Sequence, residues 1–502
     1  MNRHEQLKIP EVELAKMRKN PIEVTQHPHC IEPDTSRVIS RFFGADEVRT
    51  RRIIKRAMTL SDREVAMILR DLKHDFTAQH KDIGEVWLEH FARVEESVPS
   101  ETALSDERKL LIGAYFTMDY AVEAAALFNP SIVPSPEQNG LPPGSTRFLM
   151  SLRATGEGHV SSIVFRRGVI DKDNNIIIET VSPVSRAMRR IEDAEYETAK
   201  FRQRLADVGA LSEFAEGVLS RVGERFTLRE LGGEIERTRQ IHESPHGWEE
   251  CKENMLCLAL SNSKLVIPAD AEASEMVIFP SSENESQGIE DLRLVQFTDD
   301  DGSVRYYGTY SAYNGHVTFP TLLETRDFKT IEIRTIYGRC AKNKGMALFP
   351  RKIGGKYVMS GRLDGENLYI LESDNVYVWN RGKMAEKPKY WWEMVIIGNC
   401  GSPLETEEGW LLLTHGVGPM RQYFIGVTLL DLDDPTRVLG RTKQPLIVPS
   451  GPERIGYVPN VVYTCGAMIH GDRLIIPYAM SDVRTTFASV SLPDLLDLFK
   501  RG

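Results

Sequence analysis

From about residue 255 onward the chain alternates short apolar runs with polar turns, a pattern that predicts successive β-strands. Four stretches share one layout: an apolar strand, a glycine-containing turn, then a second apolar strand closing on a polar or aromatic residue. They are "LRLVQFTDDDGSVRYYGTYSAY", "ALFPRKIGGKYVMSGR", "SPLETEEGWLLLTHG" and "GAMIHGDRLIIPYAMSD". Their turn glycines Gly302, Gly355, Gly409 and Gly471 recur at intervals of roughly 50–60 residues, a spacing typical of multi-stranded repeats. An earlier hairpin, "STRFLMSLRATGEGHVSSIVFRRGVIDKDNNIIIE", adds a fifth copy around Arg153. Even spacing with several strands per repeat predicts a β-propeller rather than a solenoid or sandwich. The second strands then end on Arg153, Tyr313, Arg362, His415 and Asp482, one per repeat, and a propeller would bring such strand ends together at its central channel.

Helical periodicity frames the strands. Residues 36–128 read as helical: Val65, Ile68, Leu69 and Leu72 fall at helical spacing behind a Ser61–Asp62 cap, and "DERKLLIGAYFTMDYAVEAAALF" continues in kind. Residues 184–243 have no proline, little glycine and many strong helix formers. The expected fold class is mainly β with helical additions, a five-bladed β-propeller carrying an N-terminal helical region and a helical insertion after the first blade. The expected boundaries are 1–120 for the extension, 121–182 for the first blade, 183–245 for the insertion and 246–502 for the remaining blades.

Composition removes several function classes. With 502 residues and 41% hydrophobic content the chain can bury large cores. A net charge of −10 argues against a general nucleic-acid binder while leaving room for a local basic pocket. The N-terminal stretch has no apolar core of signal-peptide length, and no later stretch approaches a membrane span. Cys30, Cys251, Cys257, Cys340, Cys400 and Cys465 are scattered without C-x-x-C spacing, so free thiols and a cytoplasmic location are expected. No histidine pair with metal spacing, Walker loop or dinucleotide loop occurs, so neither metal nor cofactor is expected; "GGK" at 354–356 reads as a hairpin turn.

The stretch "QGIEDLRLVQ" sets Glu290, Asp291 and Arg293 directly ahead of a strand-like run. Alone it is a solvated ion-pair cluster. It stands in order, however, with "FNPSIV" (128–133), "SLRATGEGHVSSI" (151–163), "KNKGMALFPRKIGGKYVMSGR" (342–362), "GSPLETEEGWLLLTHGVG" (401–418), "LLDLDDPTRVLGR" (429–441), "GYVPNVVY" (456–463) and "YAMSD" (478–482). In that order the motifs resemble glycoside hydrolase family 130, five-bladed propellers that phosphorolyse or hydrolyse β-mannosides. The chain is identified as an N-terminally extended member, with the resemblance running from about residue 122 to the C-terminus around the helical tract.

The resemblance implies that Asp291 is the catalytic acid, protonating the glycosidic oxygen through a sugar hydroxyl in the phosphorylases. A leaving alkoxide needs that proton while positive charge grows on the ring. Glu290 and Arg293 would bind sugar or hold Asp291. Asn129, Arg153 and Asp482 would grip mannosyl hydroxyls, which both donate and accept, and Tyr313 would stack on the sugar or bond a hydroxyl. Leu292 stands where the family commonly has proline, so a different local turn is expected. Glu157 and His159 either shape the pocket or form a plain loop.

By the same resemblance, Lys344 (commonly arginine), Arg362 and His415 would bind phosphate, while Ile396 replaces a lysine. Loss of one cation weakens an anion site without abolishing it. A hydrolase would need a carboxylate to activate water; Glu366, Glu393 and Glu405 lie in the right segments, with Glu393 foremost. The expected function is inverting cleavage of β-mannosidic bonds in manno-oligosaccharides, with phosphorolysis to mannose 1-phosphate favoured and inorganic phosphate as co-substrate. Hydrolysis by an inverting β-mannosidase and a non-catalytic glycan-binding or scaffold propeller stay open. A small oligosaccharide is the expected partner, with no nucleic acid or membrane. The helical regions would cap the cleft or build a homo-oligomer.

Overall fold

The computed structural model describes residues 22–99, 103–191, 195–207, 210–241, 248–260, 263–280, 285–313 and 318–500. The N-terminal stretch examined for a signal and the side chain of Cys257 lie outside the described residues.

The alternating pattern resolves into antiparallel meanders. The first comprises Ala126–Pro134, Thr146–Thr155 and Ser161–Ile170, edged by Ile176–Ile178 and Met276–Ile278. The second comprises Gly288–Thr298, Val304–Tyr313, Thr318–Thr325 and Thr330–Thr335, and then Ser263–Val266. The third runs Ala347–Leu348, Tyr357–Gly361, Leu368–Ser373 and Arg381–Glu386. In the fourth, Ile396–Asn399 and Leu404–Thr406 both pair with Gly409–Val417, followed by Tyr423–Leu430 and Val438–Arg441. In the fifth, Val462–Tyr463 and Met468–His470 pair with Arg473–Met480, which pairs with Arg484–Ser491. Gly302, Gly355 and Gly471 fall in the predicted first turns and Gly409 opens the strand after its turn, each at positive φ.

Neighbouring meanders touch in sequence at or beside their leading strands. Leu294 N–H donates to Ser131 Oγ at 2.9 Å, Thr309 Oγ1 donates to the Met346 carbonyl, and Gly345 lies against Asn399. Gly401 lies against the Cys465 carbonyl, and Cys465 N–H donates to the Pro130 carbonyl at 2.7 Å. The last of these returns the fifth meander to the first. Apolar cores fill the spaces between adjacent sheets, as with Phe349 and Trp410 between the third and fourth.

The helical tracts carry more strand than their periodicity predicts. Within 36–128 the helices are Glu47–Met58, Asp62–Phe76, Ile83–Ala92 and Asp106–Tyr115, the second opened by the Ser61/Glu64 capping box. Val38–Phe42 and Thr117–Ala121, however, pair as strands, and Ala126–Phe128 already belong to the first meander. The short apolar run Ala126–Phe128, which reads as helix here, is buried throughout, so periodicity could not separate the two forms. Further upstream, Val24–Ile31 pairs with Arg484–Ser491 and becomes the outer strand of the fifth meander. Between 184 and 243, short strands Arg186–Ala187 and Arg189–Ile191 precede helices Thr198–Asp207, Glu213–Leu219 and Leu228–Ile241. Together with Trp248–Leu260 these helices share a core of their own, including Phe201, Leu205, Val218, Leu231 and Met255. No helix among the described residues is long and apolar enough to cross a membrane.

One buried ion triad ties these parts together. Glu123 accepts from Arg37 Nε at 2.9 Å and from Arg166 Nη2 at 2.7 Å, and Arg37 also donates to the carbonyls of Ser182 and Ser274. The N-terminal region, the first meander and both flanks of the insertion thus meet at one fully buried carboxylate. Glu123→Ala leaves two guanidinium groups buried without a counter-charge and should cost about 3–5 kcal/mol. The urea unfolding midpoint reads this loss; one below about 1 kcal/mol, the range of a surface pair, would contradict the assignment.

Candidate active site

Two matching irregularities build the site. In the first meander the register slips between Phe128 and Ser131, and in the second between Glu290 and Arg293. Each slip is a β-bulge, which re-aims a side chain out of the ladder. The bulged residues Asn129 and Asp291 have φ of +49° and +57°. Asn and Asp tolerate this left-handed region better than other side chains, and such strain concentrates at functional sites. Asn129 Nδ2 donates to Asp291 Oδ1 at 2.6 Å, joining the two bulges. Leu292 follows Asp291 as Pro130 follows Asn129, and it is buried against Gly308.

Charges converge on Asp291. Arg153, on the second strand of the first meander, donates from Nε to Ser161 Oγ and from Nη2 to Glu290 Oε1, both at 2.9 Å. Its Nη1 lies 3.6 Å from Asp291 Oδ1, and its guanidinium packs over the Phe128 ring. Arg293 is only 2% exposed; it donates to the Asp291 carbonyl at 3.1 Å and to the Tyr463 hydroxyl at 2.9 Å, and lies 3.7 Å from Asp291 Oδ2. Lys344 pairs with the other oxygen of Glu290 and sits over the Tyr313 ring at 5.9 Å. Burial pushes the Asp291 carboxyl up, but Arg293, Arg153, Lys344 and the Asn129 amide outweigh it and hold the group below its ordinary value. In the free protein Asp291 is therefore an anion.

Arg362 and His415 gather beside this cluster through two glycines. A Cβ on Gly398 would lie 2.6 Å from His415 Cε1 and 2.8 Å from Arg362 Cδ, so only glycine lets the two side chains approach. Gly345, whose φ of +97° favours glycine, lies next to Asn399 and Arg362 and carries Lys344's segment alongside them. His415 Nδ1 lies 3.2 Å from the Asn399 carbonyl, and the ring packs edge-on to Tyr463. Since a carbonyl only accepts, Nδ1 carries the proton. Burial, then Arg362 and Arg293, hold His415 well below its ordinary value, so the ring is neutral. Asn129 Oδ1, Arg293 Nε, Arg362 Nε and Asn399 Oδ1 are buried without a protein partner among the described residues. Donors and acceptors left unpaired in this way can each serve a bound hydroxyl or anion.

The structure thus brings together Asn129, Arg153, Glu290, Asp291, Arg293, Tyr313, Lys344 and Asp482, with Arg362 and His415 adjoining. It does not bring Glu393. That side chain is 0% exposed and accepts from the Lys389 and Tyr390 amides at 2.8 and 2.9 Å and from Arg441. A carboxylate so enclosed cannot serve as a base toward the cluster; it caps its own loop. Glu405 is ion-paired to Arg351, beside a cavity of about 430 Å³ lined by Pro134, Thr298 and Pro350, further along the leading strands than the bulges. Glu366 is exposed, and its carbonyl accepts from Ile397, next to the lost lysine position. Sequence reading passed over Tyr463, Asn399 and Ser161, which orient Arg293, His415 and Arg153. Tyr463 and Ser161 lie inside the quoted motifs, but as uncharged side chains they gave no chemical signal.

Burial raises the Asp482 carboxyl to about 7, with Arg153 opposing and Asp291 and Glu290 adding to the rise. The unfolded chain releases this proton near about 4. Between about pH 4 and 7 the folded state binds more protons, so stability falls as pH rises through that window. Asp482→Asn should therefore raise the thermal midpoint more at pH 8 than at pH 4.5. An equal change at both values would refute it.

A family profile described as beta-1,4-mannooligosaccharide phosphorylase matches residues 254–501. A Beta-1,2-mannobiose phosphorylase from Listeria innocua is 32% identical over 228 residues, covering 44% of this chain and 62% of that protein. A 1,2-beta-oligomannan phosphorylase from Thermoanaerobacter is 33% identical over 223 residues, covering 44% of this chain and 73% of the relative. The chain thus spans a little under two thirds of the Listeria relative. Among solved structures, the Listeria innocua enzyme in complex with beta-1,2-mannobiose aligns at 21% identity with a TM-score of 0.44, over 75% of this chain and 93% of that one.

Proposed function

Since the chain belongs to glycoside hydrolase family 130, we propose that it cleaves β-mannosidic bonds of manno-oligosaccharides by phosphorolysis, with inversion and with Asp291 as the acid. The observation that carries this reading is the gathering of Lys344, Arg362 and His415 around Gly345 and Gly398, next to a carboxyl clamped for sugar work. The meanders, each touching the next and the fifth returning to the first, are read as five blades around one axis. The N-terminal helices and the separately cored insertion are read as additions outside it.

In this mechanism Asn129, Arg153 and Asp482 hold the mannosyl hydroxyls, and the unpaired Asn129 Oδ1 accepts one of them. Phosphate, held by Lys344, Arg362 and His415, forms a bond from one oxygen to the anomeric carbon. The carbon–oxygen bond to the leaving sugar breaks on the opposite face, and its electron pair stays on that oxygen. A sugar hydroxyl passes its proton to this oxygen and is reprotonated by Asp291, giving α-mannose 1-phosphate and the shortened sugar. Asp291 must first gain a proton, although the free protein keeps it ionised. An arriving phosphate supplies the reason: its negative charge offsets the cations that depress Asp291, and bound sugar removes water. Neutral His415, with Nδ1 committed to Asn399, presents Nε2 to the anion as an acceptor for a phosphate hydroxyl.

Hydrolysis would have to rest on Glu366, because Glu393 is enclosed and Glu405 is ion-paired at the far cavity. Mannose 1-phosphate released from β-mannobiose only when inorganic phosphate is present supports phosphorolysis; free mannose at an unchanged rate without phosphate refutes it. Asp291→Asn should lower kcat by about a thousandfold or more, within the range of general acid loss. Arg362→Ala should raise the KM for phosphate at least about tenfold while leaving the sugar KM nearly unchanged.

A further inference from the structure

The junction between the helical insertion and the second meander carries charged groups that the cleft does not use. Helix Thr198–Asp207 sets Lys200 and Arg204 four residues apart, on one face. On the meander's side, Glu332 and Arg334 alternate along strand Thr330–Thr335, and Lys264 of the neighbouring strand is in register with Glu332. These side chains line a cavity of about 240 Å³, whose wall also includes Tyr196 and Phe201. Strand Thr330–Thr335 lies three places out from Gly288–Thr298 in its meander, which at about 4.8 Å per strand sets the cavity apart from Asp291.

The charges of this wall do not balance in pairs. Glu197 pairs with Lys200 at 2.9 Å, Glu195 with Arg225 at 3.2 Å, and Glu332 with Arg334. Arg204 and Lys264 are left over, and neither makes a hydrogen bond or an ion pair with a described residue. The half-buried Arg204 lies over the Tyr377 ring, 5.5 Å from its centroid, and Arg334 lies over the same ring at 5.1 Å. Burial first, then the Arg334 charge, pull Arg204 below its ordinary value, against Tyr337, Tyr377 and Glu197. Two guanidinium groups held together, one of them with its donors unmatched, form a strained arrangement that an anion between them relieves.

We propose that this cavity binds a small phosphate monoester, with the phosphoryl group between Arg204 and Arg334 and the organic part against Tyr196 and Phe201. A guanidinium fork meets phosphate oxygens two at a time, and the exposed Lys264 adds a cation at the rim. The aromatic wall favours an organic group, which free phosphate lacks. The volume is below the range of about 300–1,000 Å³ usual for drug-sized ligands, so the ligand is of monosaccharide size. Once bound, it ties the insertion to the meander that carries Asp291. The site is independent of the reaction assigned to the cleft.

Calorimetric titration of the full chain tests this in an Arg362→Ala background, where the cleft's own anion group is weakened. Glucose 6-phosphate and mannose 1-phosphate should bind, glucose should not, and inorganic phosphate should bind at least about tenfold more weakly than either ester. Adding Arg204→Ala should weaken both esters at least about tenfold, and Arg204→Lys, which keeps the charge without the fork, should fall between. No binding of either ester, or affinities untouched by Arg204→Ala, overturns the proposal. Inorganic phosphate binding as tightly as the esters makes this a site for the free ion and overturns the monoester. A second measurement needs no variant: hydrogen exchange of the wild-type chain with and without glucose 6-phosphate. Slower exchange of amides in both 196–204 and 330–335 supports the site, and unchanged exchange in these segments overturns it.

Discussion

A carboxylate is taken out of water at Asp291 and must be neutralised where it stands. An ion in that position is tolerable only with cations and donors in close reach. Arg153, Arg293 and the Asn129 amide provide them, and each comes from a different part of the chain: the second strand of the first meander, the second meander itself and the first bulge. Those cations need counter-charges in turn. Glu290 takes Arg153 and Lys344 together, and the Tyr463 hydroxyl from the fifth meander takes Arg293. A single buried anion thus dictates bulges, rotamers and partners across three sheets.

The same arrangement explains the backbone. Asn129, Asp291 and Asp482 all sit at positive φ, each where a leading strand or a strand-to-strand turn leaves its ladder. The strain is distributed over residue types that tolerate it, and the ladders resume within two or three positions on either side. Beside them, Gly398 does the opposite service: it removes a side chain so that Arg362 and His415 can crowd together. The result is a neutral imidazole next to a guanidinium, a poor place for another cation and a good one for an anion.

Away from the cleft, the molecule separates structural ions from chemical ones. The carboxylates of Glu123 and Glu393 are fully enclosed and, with Arg37, Arg166 and Arg441, lock segments together. The carboxylates of Glu290 and Asp291 keep partial exposure. Burial, rather than the mere presence of a carboxylate at a promising position, distinguishes the two groups. That distinction removes Glu393 from the chemistry although its place along the chain pointed to it.

The sequence by itself determined the repeating strand–turn–strand units, the glycine at each first turn and the ordered motifs that carry the family resemblance. All of these are local, set by alternation, by φ > 0 at a turn or by a short run of residues, and locality is what a linear reading can see. Asp291 and the charged side chains around it were legible for the same reason, since charged residues inside motifs announce themselves. Only the tertiary structure decided that Val24–Ile31 completes the fifth meander and that Ala126–Phe128 is strand rather than helix. It alone placed Tyr463 and Asn399 behind Arg293 and His415, enclosed Glu393 and stacked Tyr457 on His159. Each of these depends on which segment lies opposite, hundreds of residues away in some cases, and burial and pairing belong to that neighbour rather than to the residue's own stretch of chain.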